Sequence, residues 1–205
     1  MYLTYFTLAF AATVVGTIPF GPINLSVVNV AMKRSFTAAL VFALGAAFVE
    51  IFEALTAIFF GNLIDKFLME NAWFQWLVII AFVAIGTVTI LRKPKTKGVK
   101  TKKMKMPTLL KGVVVALLNP QAIPFWLITL AVLNEGQELN FREGRLGFFL
   151  AGVFAGKFVA LAGFAVLSRA IKKRVKEGTR IIDFVFGGVL IAIGLIQAYK
   201  TIAEL

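Results

Sequence analysis

Ionisable side chains stand where a chain this apolar should have none. Glu50 and Glu53 lie inside the apolar run of residues 36–60, and Lys157 lies inside that of residues 146–167. A charge at such depth costs at least ~2.5–3.5 kcal/mol on membrane-insertion scales, so these groups face a bundle interior or water and mark ion or substrate paths. Glu50 and Glu53 are three residues apart and share one helix face. Lys157 is expected opposite Glu50. Glu53 is then left with no cationic partner in the sequence, and a buried carboxylate so placed can take up a proton. Proton exchange is the chemistry open to this trio. The competing reading is an ion pair of Glu50 and Lys157 that only locks two spans together. The chain has no His and no Cys, which excludes disulfides, thiol chemistry and His- or Cys-based metal sites. No cofactor and no metal are expected.

A second set of polar groups lies at two helix breaks. Residues 16–24 read Gly-Thr-Ile-Pro-Phe-Gly-Pro-Ile-Asn, and residues 117–126 read Leu-Leu-Asn-Pro-Gln-Ala-Ile-Pro-Phe-Trp. Pro19, Pro22, Pro120 and Pro124 thus fall inside hydrophobic segments. Each lacks a backbone N–H and clashes with the preceding turn, while Gly16 and Gly21 loosen the same turns. Freed carbonyls in lipid cost several kcal/mol each unless protein or trapped water satisfies them. A half-helix starting after Pro22 or Pro120 offers N–H groups and a positive dipole end, suited to a carboxylate. Asn24, Asn119 and Gln121 add amide donors and acceptors. Gly21, Pro22, Asn24, Asn119, Pro120 and Gln121 are therefore the expected substrate-binding residues. Glu50, Glu53 and Lys157 are the expected proton-coupling or charge-balancing ones. The competing reading is a pair of kinks satisfied by neighbouring helices. Trp126 and the many Phe residues read as lipid or core contacts.

These residues need spans to carry them. Hydrophobic residues make up 60% of the 205 and mean hydropathy is +0.88, against about 45–50% apolar in a soluble domain. Six spans are expected, near residues 3–30, 36–60, 73–91, 109–133, 146–167 and 181–199, the first and fourth broken. Asp65, Lys66 and Glu70 read as a polar turn after the second span, and residues 135–145 as another. Trp73 and Trp76 suit an interface. Ala9-Phe10-Ala11 has the look of a cleavage site, but no Lys or Arg precedes it, so residues 1–15 are kept as mature span.

The net charge of +12 would suggest nucleic acid in a soluble protein. Here the basic residues orient the spans. Of the 22 Lys and Arg, 17 fall at Lys33-Arg34, between Arg92 and Lys111, and between Arg169 and Arg180. Basic loops stay in the cytoplasm, which puts loops 31–35, 92–107 and 169–180 inside and both termini outside. The partners implied are protons, the lipid bilayer and a small molecule, with no nucleic acid.

The two halves look alike. Gly21-Pro22-Ile23-Asn24 matches Asn119-Pro120-Gln121-Ala122. Gly45 precedes Glu50 by five residues, as Gly152 precedes Lys157. With three spans each, the halves must be inverted relative to one another. The expected fold is an all-α polytopic membrane protein of six transmembrane helices, arranged as two inverted three-helix repeats with the first helix of each broken at Pro/Gly. Residues 1–91 form the first repeat, 92–107 a basic cytoplasmic linker and 108–205 the second. Gly152-x-x-x-Gly156 and the glycines Gly187, Gly188 and Gly194 suit close helix packing, within the bundle or in a homodimer.

At its two breaks the sequence resembles the lysine-exporter (LysE/RhtB-type) family of amino acid exporters. The matching residues are Gly21-Pro22 with Asn24, the Gly45-x-x-x-Val49-Glu50 run, and Asn119-Pro120-Gln121-Ala122. The departures are Ser35 and Ala39 for glycines, Val49-Glu50 for Gly-Asp, Gln121 for Lys, and the presence of Lys157. The resemblance covers essentially the whole chain. It implies export of a small amino acid or related metabolite from the bacterial inner membrane, by an antiporter when joined to the proton chemistry above, and no enzymatic activity. A passive channel or a structural membrane subunit is the alternative. An intramembrane enzyme is a weaker one, because the catalytic inventory is thin.

Overall fold

The computed structural model describes residues 1–18, 21–70, 72–91, 106–119, 122–136, 139–168, 184, 187–188, 190–192, 194–199 and 201–202. Among them there is no strand. The helices are α1 (Tyr2–Thr17), α2 (Pro22–Lys33), α3 (Phe36–Glu70), α4 (Ala72–Leu91), α5 (Thr108–Leu117), α6 (Ala122–Gly136) and α7 (Arg145–Val166). Two stretches are long and apolar enough to cross a membrane, Phe36–Gly61 within α3 and Arg145–Val166. Two more spans follow if each bent pair counts as one: α1 with α2, bent by 79°, and α5 with the Ala122–Leu130 part of α6, bent by 65°. Gln75–Val88 and Leu190–Tyr199 are shorter apolar helices. The chain is an all-helical, multi-pass membrane protein.

The breaks fall where proline chemistry puts them. Pro22 opens α2 at a position where its missing N–H costs nothing. Pro124 sits in the first turn of α6 and does not interrupt it. Pro19, Pro120 and Gln121 lie outside the described residues, as do linker residues 92–105 and the whole 169–180 loop. The polar turn expected at Asp65–Glu70 is instead helical, and α3 runs to Glu70. Nothing in Asn62–Glu70 breaks a helix: there is no Gly or Pro, and Leu, Lys, Met and Glu all favour helix. Glu135 likewise falls inside α6.

The chain forms two compact units, each drawing on sequence from both sides of the basic linker. One joins Met1–Phe59 and Lys97–Val175; the other joins Phe60–Thr96 and Lys176–Leu205. In the first unit, glycines bring backbones together. A Cβ on Gly45 would overlap the Leu109 carbonyl, and one on Gly112 would overlap the Phe42 carbonyl, so α3 and α5 meet almost backbone to backbone. Gly152 and Gly156 do the same for α7, against the Phe6 and Phe10 carbonyls of α1. The Gly152-x-x-x-Gly156 face is therefore used within the chain. In the second unit, Gly86 and Gly187 face one another just as closely.

Overfilling such a contact typically costs ~1–3 kcal/mol. Gly152→Ala should lower the detergent unfolding temperature by several degrees. Gly163→Ala on the same helix has open space around the added methyl group and should leave the unfolding temperature unchanged or slightly raised. Equal effects of the two would contradict the packing described.

Candidate functional site

The charged residues come together inside the first unit. α3 presents Glu50 and Glu53 on one face, and α7 presents Lys157. They are 2%, 8% and 6% exposed, which is too little for water to solvate any of the three. The Lys157 ammonium lies 2.8 Å from Glu50 Oε2. The Trp126 indole N–H, from α6, donates to Glu50 Oε1 at 3.0 Å. Both oxygens of Glu50 are therefore engaged, one by a cation and one by a neutral donor. Glu53 lies close enough to feel the charges of both Glu50 and Lys157. Its Oε2 is buried and has no hydrogen-bond partner among the described residues.

Apolar residues enclose this layer on two sides. Along α3 and α7, Phe42, Ala46, Val49, Leu161 and Ala165 belong to one buried cluster with Ile23 and Val27 of α2. In the other direction Ala54, Ala57 and Val153 join Tyr5, Ala9, Trp126 and Phe149. The second cluster carries a file of aromatic rings. Phe149 meets Trp126 with centroids 5.8 Å apart, Phe141 meets Phe149 at 5.2 Å, and Tyr5 meets Phe141 at 6.0 Å. The Tyr5 hydroxyl closes the file. It donates to the Asn140 carbonyl at 3.1 Å and accepts from the Asn140 N–H at 3.0 Å.

The helix breaks reach the charged pair through Phe125. Its ring occupies the space a Cβ on Gly16 would need, so the end of α1 and the start of α6 are in contact. Phe125 packs on Trp126 with centroids 5.4 Å apart, and Trp126 holds Glu50. Gly16 thus makes room for a ring, where the sequence suggested only a loosened turn. Gly21 caps α2 with φ −90° and ψ 176°, extended backbone open to any residue. Asn24 is buried in the first turn of α2, and its Nδ2 donates to the Thr17 carbonyl at 2.6 Å. One carbonyl freed by the break is satisfied in this way, as the lipid environment requires. The N-cap residue of α2, Gly21, has no side chain with which to cap it. Asn119 follows α5, its N–H donating to the Ala116 carbonyl at 2.8 Å. Pro120 and Gln121 are outside the described residues.

Trp126 was not expected here. Its signal was position: Trp73 and Trp76 stand at a span end, where indoles collect, while Trp126 stands mid-span. A buried indole needs an acceptor for its N–H. Thr13 and Thr17 were missed as well. Both are buried, and each hydroxyl donates to a carbonyl one turn back in α1, Thr13 to Ala9 and Thr17 to Thr13. Thr13 also lies against Gly156, next to Lys157.

Removing one member of a buried ion pair costs about 3–5 kcal/mol, while replacing both can be neutral. Glu50→Gln and Lys157→Met should each destabilise the protein strongly, and the double variant should recover most of the loss. Trp126→Phe keeps a ring but strands Glu50 Oε1, at an expected cost of ~1–3 kcal/mol. Thermal unfolding in detergent reads all four. Additive losses in the double variant would mean that the pair is not coupled.

No solved structure matches this chain. The chain is 24% identical over 214 residues to the Bacillus subtilis (strain 168) protein named "Putative amino acid efflux protein YcgF", across all of this chain and 98% of that one. The profile of the LysE type translocator family matches residues 14–201. That is most of the chain, and it takes in both helix breaks and all three buried charges: the protein belongs to the LysE type translocator family, a family of transporters and not of enzymes.

Proposed function

We propose that this protein exports a small amino acid or related metabolite across the bacterial inner membrane in exchange for protons. The observation that carries the reading is the buried layer of Glu50, Glu53 and Lys157, closed by apolar clusters on two sides within a translocator fold. The amino acid class is supported by the efflux protein it resembles. A carboxylate of the Glu50/Glu53 pair carries the proton. Lys157 balances the charge of Glu50. The start of α2, with Asn24, Asn119 and Gln121 at the two breaks, holds the polar groups of the substrate.

Contacts within the first unit support the proposed topology. Arg34 donates to the Thr108 hydroxyl at 2.8 Å, which sets the 31–35 loop beside the end of the basic linker. At the other end, Tyr5 holds Asn140, and the tilted rings of Tyr2 and Phe148 lie with centroids 5.0 Å apart. This agrees with basic loops in the cytoplasm and the N-terminus outside. An inverted repeat is supported by the central pair. Glu50 and Lys157 occupy matching positions in the two halves, and matching residues that touch must lie on the axis relating them.

Two measurements test the proposal. In proteoliposomes, an imposed pH gradient should drive flux of at least one amino acid. The triple variant Glu50→Gln/Glu53→Gln/Lys157→Met should lose that drive at least tenfold. A wild-type protein that passes solute only down its own gradient would be a channel instead. A single cysteine placed at Gly98 has no native background. It should react with an impermeant reagent only after the cells are opened; labelling in intact cells would reverse the topology.

A further inference from the structure

Glu50 and Glu53 are not equivalent, and their surroundings separate their roles. Glu50 forms an ion pair with Lys157 through one oxygen and accepts a hydrogen bond from Trp126 on the other. Its charge is balanced by Lys157 at 2.8 Å. Glu53 is one turn further along the same helix face and more than nine-tenths buried, and its Oε2 has no donor among the described residues. The charged groups acting on it are Glu50 from its own helix and Lys157 from α7. Of the other helices in the adjoining cluster, α1 has no charged residue and α6 has none before Glu135. Two carboxylates against one ammonium group leave the layer short of one positive charge. A buried carboxylate without a cation is costly, and a cation or a proton must supply the difference.

We infer that Glu53 is the exchange site, where the ammonium group of the substrate and the transported proton take turns on the same carboxylate. The inference rests on the exporter reading above and deepens it by naming the recognised group. No covalent bond is made or broken. As the ammonium group arrives, the proton on Glu53 leaves to water and the carboxylate receives the N–H donors; as the ammonium group departs, a proton returns. One carboxylate cannot hold both, so the two fluxes are coupled by exclusion. Substrates are then amines with no surplus negative charge, namely neutral or basic amino acids and small amines. Acidic amino acids would bring a second carboxylate, not balanced by their own ammonium group, to a layer that already has one too many. Lys157 cannot receive it, because Glu50 holds Lys157.

Infrared difference spectroscopy of the purified protein in lipid tests this with three small probes. L-alanine and methylammonium carry the ammonium group; L-lactate has the shape of alanine with a hydroxyl in its place. The first two should abolish the carbonyl stretch of a protonated carboxyl group, and lactate should not. The band should be absent in Glu53→Gln and present in Glu53→Asp and in Glu50→Gln/Lys157→Met, with unfolding temperature as the control for folding. Half-saturation by L-alanine in calorimetry should rise about tenfold or more in Glu53→Gln, the scale of one charge-assisted hydrogen bond. The inference is overturned if the band survives Glu53→Gln, if lactate removes it as well, or if neither amine changes it. Proton-driven amino acid flux that survives Glu53→Gln would also overturn it, while leaving the exporter reading intact. Amine-dependent loss of the band in a protein that moves no amino acid would instead uphold the exchange site and defeat the exporter reading.

Discussion

The ion pair of Glu50 and Lys157 governs what surrounds it. Two opposite charges this deep attract strongly only if water stays out and every other lone pair finds a donor. The second requirement brings Trp126 to Glu50 Oε1. The first brings the apolar clusters on two sides, one rich in Ala and Val and the other in aromatic rings. A pair held at 2.8 Å also fixes α3 against α7 in register. The close glycine contacts of α3 with α5 and of α7 with α1 carry that register to the helices that contain the breaks.

The breaks are organised by the same economy of polar groups. Bending α1 away from α2 frees carbonyls at the turn, and Asn24 returns a donor to one of them. Seating Phe125 in the space left by Gly16 joins this bend to the second one and, through Trp126, to Glu50. A change at either bend therefore has a packed route to the charged layer. In transporters built from repeats, discontinuous helices at the substrate site are a recurring device, and here their residues and the buried charges belong to one contact network.

Much of this was written in the residue types. Glu50, Glu53 and Lys157 could be singled out because an ionisable group in an apolar run is costly wherever the run folds. The breaks could be placed because proline lacks its N–H in any context. The pairing of Glu50 with Lys157 followed from their matching positions after Gly45 and Gly152. The polar turn at residues 65–70 was misread because charged residues end an apolar pattern without ending a helix.

What the sequence by itself determined is the class of protein and its expensive residues: a membrane chain, broken in two spans, with two buried acids and one buried base. These follow from transfer costs and backbone chemistry, which depend on residue type and local order. Only the tertiary structure decided that the pair would close to 2.8 Å and that Glu53 Oε2 would find no donor among the described residues. It also decided that a mid-span tryptophan would complete Glu50, and that Gly152 and Gly156 would serve a contact inside the chain. Each of these depends on which atoms from distant segments come within about 3 Å of one another, and residue type alone does not fix that distance.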